Sequence, residues 1–246
     1  LVYDIETENH HFHVGPGRMV VHNTDSVFVY LPTSMCDGDD DEAILKRANA
    51  LGEEMAEFCT KAFLPPNDLE FEKVYYPLLL KGKKRYAGHK FEPGLPPKLD
   101  VKGFECVRRD FAPIVSTTQK QCLIKLVKEK DTRGAVQFAR GRVRDLLEGR
   151  VSTDELVISK QLTRPPDQYK NPAPHVELAK YLQRTLPPTQ APKTGDRIDY
   201  LIKPGTGKIF QRAVAPADVR SGLEQPDVQW YLRNQLKEPL LRIFRM

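Results

Sequence analysis

Cysteine is scarce in this 246-residue chain, and the four present do not cluster. Cys36, Cys59, Cys106 and Cys122 form no C-x-x-C pair, which suits neither a zinc site nor a disulfide scaffold. Buried thiols in a reducing compartment are the expectation. Long apolar runs are missing as well. The best candidates, such as residues 75–80, are strand-sized against the ~18 residues of a membrane span, so no membrane partner is expected. There is no basic-then-apolar leader, and the first residue is Leu1 rather than Met, so a piece of a longer polypeptide or a processed product is expected. Disorder is excluded by a hydrophobic share of 40%. Proline is enriched, at 20 residues, and it punctuates the chain into short elements.

The net charge of +5 hides a pattern. Residues 24–60 carry nine acids and two bases; residues 81–110 and 118–150 each carry nine bases and four acids. An acidic stretch is followed by two basic ones, a distribution compatible with phosphate contacts but also with solvated faces.

Periodicity predicts short strands around the Gly15-Pro16-Gly17 turn, at residues 1–5 and 19–21, and a third at residues 26–31. Helical spacing of Ile44, Leu45, Ala48, Leu51, Met55 and Phe58 predicts a helix over 41–63. Strands are expected at 69–75, 76–80 and 101–107, with Gly82 and Lys83 leading into Arg85-Tyr86. Residues 116–147 read as mostly helical with a break near 131–134. Ser152 to Glu155 has capping-box spacing, although Leu156-Val157-Ile158 suggests a strand. A helix over 174–185, a strand at 200–202 and an amphipathic helix over 227–244, interrupted at Pro239, complete an α+β pattern.

His22-Asn23-Thr24 sets an imidazole, an amide and a hydroxyl in succession. The Asn23 amide can attack its own main-chain carbonyl, His22 can move the protons, and Thr24 can accept an acyl group. Alone the tripeptide is also an ordinary hairpin end. His11 and His13 fall on one strand face, which by itself does not make a metal site. With Val2-Tyr3-Asp4-Ile5-Glu6, His10-His11-Phe12 and Val20-Val21-His22-Asn23, residues 1–23 resemble the C-terminal segment of an intein. The resemblance implies that Asn23 cyclises with help from His22, that Thr24 is the first host residue and nucleophile, and that Asp4 and His10 assist acyl transfer. The family's N-terminal half would be a required partner.

Thr24-Asp25-Ser26 opens an apolar segment, where Asp25 suits either a turn cap or a Mg²⁺ ligand. Lys83-Lys84-Arg85-Tyr86-Ala87-Gly88 combines three cations with small residues that permit close approach to a phosphate backbone. Lys102, Arg108 and Arg109 lie in a second basic segment, Asp100 to Asp110. With Leu156 to Leu162, His175 to Ala179, Thr194 to Arg197 and Asp227 to Phe244, these blocks resemble the C-terminal palm and thumb of a family B DNA polymerase, most like the delta type.

The resemblance implies three parts: residues 1–23 as intein end, 24–110 as palm remainder, and 111–246 as a mainly helical thumb. It implies phosphoryl transfer with two Mg²⁺ ions, primer–template DNA and deoxynucleoside triphosphates as substrates, and an N-terminal polymerase part carrying the other intein half. Asp25 matches the second Asp of the family's Tyr-Gly-Asp-Thr-Asp-Ser motif, a supporting carboxylate. Lys84 and Tyr86 match its Lys-x-Tyr along the duplex; Lys83, Arg85, Lys102, Arg108 and Arg109 are expected backbone contacts, and Glu70 and Glu72 flank the catalytic floor or serve structure. The four cysteines do not fit the delta type's Cys-rich motifs, so no zinc or iron–sulfur site is expected. An intracellular location, in a nucleus or at a viral replication site, follows from the resemblance. A non-catalytic duplex-binding module is the alternative.

Overall fold

The computed structural model describes the backbone of residues 11–14 and 19–22, and residues 27–36, 40–65, 67–82 and 84–245. The chain divides into two compact units: Leu1–Pro77 with His89–Lys98, and Leu78–Gly88 with Leu99–Met246.

In the first unit, β1 (His11–Val14) pairs antiparallel with β2 (Met19–His22), with His11 opposite His22. The strand expected at residues 1–5 lies outside the described residues. The strand expected at 26–31 does not form over 27–31, where the backbone adopts no regular element and Val29 and Tyr30 are exposed. β-Propensity describes fit to a pleated, half-buried surface, and here the alternating residues have no ladder among the described residues. Helix α1 (Asp41–Thr60) starts where Asp40 accepts the Ala43 N–H at 2.8 Å, with Asp41 and Glu42 on its positive end. Gly52 leaves room for the Phe71 ring, which an added Cβ would meet at 2.4 Å. The Thr60 hydroxyl binds both the N–H and the carbonyl of Leu69, stitching the helix end to the chain returning from it.

Three strands, β3 (Val74–Gly82), β4 (Arg85–Phe91) and β5 (Lys98–Lys102), form one sheet in that order. The expected strands at 69–75 and 76–80 are thus corrected to a single strand that begins at Val74. The strand expected over 101–107 stops at Lys102: Gly103 turns the backbone at φ +71° and residues 105–107 coil into a 3₁₀ turn.

The second unit carries the principal core. Helix α2 (Pro113–Leu123) runs into a π-helical turn at Ile124–Lys128, and α3 (Thr132–Leu147) restarts after the left-handed Lys130 with Asp131 as its cap. The short α4 (Thr153–Leu156) and strand β6 (Ile158–Gln161) follow in succession, so the cap signal and the β-branched run at Ser152–Ile158 each produced an element. Helix α5 (Pro174–Thr185) uses Pro174 at its first position. Strand β7 (Arg197–Ile202) pairs antiparallel with β6, Lys160 opposite Ile198, and with β8 (Ala213–Val214), which the short helix α6 (Pro216–Arg220) follows.

The final helical segment contains α7 (Val228–Tyr231), a π-helical turn at Leu232–Leu236 and α8 (Lys237–Phe244). Pro239 does not interrupt it. It falls in the first turn of α8, and the wider turn just before it absorbs the change of register. Phe104, Ile114, Leu123, Leu146, Ile158, Leu201, Tyr231 and Leu236 are fully buried and centre the core. Inside it, Glu105 binds Arg242 and the Gln119 amide, while Tyr231 OH accepts the Ile202 N–H. Among the described residues no helix is long and apolar enough to cross a membrane.

Candidate nucleic-acid interface

The β3–β4 turn is built around Lys84, which is exposed and holds φ +59°, a left-handed conformation that costs a non-glycine residue about 1 kcal/mol. Gly103, at the end of β5, supports it. A Cβ on Gly103 would sit 2.0 Å from the Lys84 carbonyl oxygen, so only glycine permits this approach. Arg85 Nε donates to the Gly103 carbonyl at 3.1 Å and closes the clasp. The two basic segments read separately from the sequence therefore meet here, with Lys84 and Lys102 exposed beside the joint. Tyr86 is half-buried on β4, next to the fully buried Ala87.

Past Gly103, Phe104 and Glu105 plunge into the core and anchor the chain, and Arg108 and Arg109 emerge exposed just beyond. Arg108 forks onto Asp110 at 3.0 and 2.8 Å, and its guanidinium stands over the Phe111 ring at 5.2 Å. Burial alone would raise the Asp110 carboxyl; the Arg108 hydrogen bonds and charge, with Lys160 nearby, hold it below the usual carboxylate range. Arg197 donates to the Arg109 carbonyl at 3.2 Å and to the Ser159 carbonyl at 2.6 Å, tying residue 109 to the edge of β6.

This adds to Arg108 and Arg109 two cations that sequence reading missed, Lys160 and Arg197. Arg108, Arg109, Lys160 and Arg197 line one cleft of about 470 Å³ with Asp110 and His175. Lys160 and Arg197 sit singly on alternating strands, so they form no charge run. Their only sequence signal was the strand alternation that brings them to one sheet.

Asp4, His10, Asn23, Thr24, Asp25 and Lys83 lie outside the described residues, and His22 is placed only by its backbone at the end of β2. Glu70 and Glu72 are exposed in the irregular stretch before β3, with Glu72 paired to Lys73 at 2.7 Å. All four cysteines are free; burial pushes the Cys106 and Cys122 thiols up to about 11, which leaves them unreactive near neutrality. Among the described residues no three His, Cys, Asp or Glu side chains come together to hold a metal ion.

The β3–β4 turn and the cleft each hold cations on buried anchors, an arrangement of the kind that phosphate groups can bind. Residues 9–246 match DNA polymerase family B, and the chain belongs to that family. It is 40% identical over 230 residues to the DNA polymerase delta catalytic subunit of Oryza sativa subsp. japonica, covering 92% of this chain and 20% of that protein. Against the Drosophila melanogaster DNA polymerase delta catalytic subunit it is 43% identical over 203 residues, 81% of this chain and 18% of the relative. These relatives are DNA-directed DNA polymerases, and the chain spans about a fifth of their length. Its fold matches the family B DNA polymerase from the hyperthermophilic archaeon Pyrobaculum calidifontis with a TM-score of 0.60 at 25% identity, over 79% of this chain and 24% of that one.

Proposed function

We propose that this chain is a C-terminal part of a delta-type DNA-directed DNA polymerase, with residues 24–110 completing a palm and 111–246 forming a thumb. The whole enzyme would transfer deoxynucleotides to a primer on template DNA, inside a nucleus or at a viral replication site. The observation that carries this reading is the Gly103–Lys84 clasp, which turns two basic segments of a family B chain into one surface. Lys83, Lys84, Arg85, Lys102, Arg108 and Arg109 take backbone phosphates, and Tyr86 braces the turn. Asp25 contributes one carboxylate to a Mg²⁺ site whose other ligands come from outside this sequence. Replacing Lys84 by Ala should weaken duplex binding and reduce its salt slope by about one. An unchanged slope would remove Lys84 from the phosphate contacts.

Residues 1–23 are proposed as the end of an intein. The family match begins at residue 9 and runs across this stretch, so the splicing reading rests on sequence order. What favours it is that Val20-Val21-His22-Asn23-Thr24 abuts Asp25-Ser26, where the palm motif would read Tyr-Gly-Asp-Thr-Asp-Ser. The Asn23 side-chain nitrogen attacks the Asn23 carbonyl carbon; the bond to Thr24 breaks, and the Thr24 amine leaves with a proton delivered through His22. Asp4 and His10 would serve the earlier acyl transfer. Mixed with an N-terminal polymerase part carrying the other intein half, the chain should yield a ligated product. Loss of that product in Asn23→Ala is expected; ligation undisturbed by the substitution would remove Asn23 from the reaction.

A further inference from the structure

The cleft behind Arg109 contains a group that phosphate contacts by lysine and arginine do not explain. His175, at the start of α5, is only 9% exposed. The Tyr169 ring meets it edge-on at 5.9 Å and the Tyr200 ring lies nearly parallel at 6.5 Å. Its Nδ1 is buried without a hydrogen-bond partner among the described residues. Four cations and one acid share the cleft with it.

The cations are not equally engaged. Arg108 is held by Asp110, and Arg197 by the carbonyls of Ser159 and Arg109. Lys160 sits opposite Ile198 on the sheet and makes no ion pair among the described residues. From the turn before α5, Arg164 stands over Tyr169 at 5.4 Å. On α5 itself, Glu177 and Lys180 pair with each other at 3.4 Å. Asp110, already bound to Arg108, is thus the one acid beside His175 in the cleft. Burial, then the charge of Lys160, holds the imidazole below its ordinary range, which favours the neutral ring.

We propose that this cleft seats one phosphate group of a DNA strand and that His175 takes up a proton as the phosphate enters. The proposal rests on reading the chain as a duplex-gripping part of a polymerase. An anion in the cleft offsets the repulsion from Lys160 and supplies the counter-charge a buried imidazolium needs. Filling the cleft therefore raises the proton affinity of His175. By linkage, DNA affinity rises as pH falls through the histidine range.

The test uses this chain, with a short labelled duplex and with inorganic phosphate, at fixed ionic strength and at about pH 8 and pH 6. Duplex affinity should increase about threefold or more at the lower pH, and His175→Gln should abolish most of that increase. The His175 Cε1–H titration, followed by NMR in the wild-type chain, should move to higher pH when inorganic phosphate is added. This second measurement needs no variant to fold. Equal pH dependence in both chains, with duplex still bound, overturns the proposal and leaves the duplex-gripping reading standing. A titration that phosphate does not move overturns the seat. Absence of duplex binding by either chain at low salt overturns both.

Discussion

Gly103 and Lys84 approach so closely that the Lys84 carbonyl occupies the space of a Gly103 side chain. Replacing Gly103 by Ala forces a Cβ onto φ +71° and into backbone 2.0 Å away. A loss of about 2 kcal/mol or more is expected in urea denaturation. Duplex affinity should fall as well, because the turn that presents Lys84 must shift.

Lys84→Gly separates conformation from charge. Glycine adopts φ +59° freely, so stability should hold or rise by up to ~1 kcal/mol. Duplex affinity should nevertheless drop, and a thermal melt run beside a binding titration reads both. A stabilised variant that binds as well as wild type would remove the Lys84 charge from the interface.

The Glu105–Arg242 pair predicts an asymmetry. Glu105 is 2% exposed, whereas the Arg242 side chain is 38% exposed. Arg242→Ala leaves a buried carboxylate with Gln119 as its one donor among the described residues, and should cost about 2–3 kcal/mol after allowance for solvent at the arginine. Glu105→Gln keeps an acceptor for Gln119 and leaves an arginine that water can reach, so it should cost less. The reverse order in denaturant midpoints would refute this account.

Acid should destabilise the second unit in two stages. His175 has a lowered pKa in the fold, so the unfolded chain binds its proton first, and stability falls as pH drops through the ordinary histidine range. Asp110, also lowered, contributes stability above its unfolded value that is lost as pH falls through its folded one. His175→Gln should flatten the upper stage and Asp110→Asn the lower, as followed by melting temperature against pH.

Elements with a local signal were legible: the break near residues 131–134 where α3 begins, the helix over 174–185 that Pro174 opens, and the apolar spacing of α1. Strand propensity misled where a strand depends on neighbours. Residues 27–31 have the composition of a strand without a ladder, and Val101 is strand only until Gly103 turns the chain. The basic surface was legible where cations are consecutive, as at Lys84-Arg85 and Arg108-Arg109. It was hidden where Lys160 and Arg197 reach the same cleft from separate strands, because cross-strand pairing joins residues that no local pattern links.

Gln119 ties three distant stretches together, accepting the Cys106 N–H at 2.7 Å and donating to Glu105 at 2.9 Å and to the Pro239 carbonyl at 3.1 Å. Gln235 repeats the device by accepting the Ala112 N–H. Segments knotted this way can open only as one cooperative block. The Cys106 amide should therefore keep its hydrogen in heavy water nearly as long as the deepest core strands do, although Arg108 and Arg109, two and three residues away, are bathed in solvent.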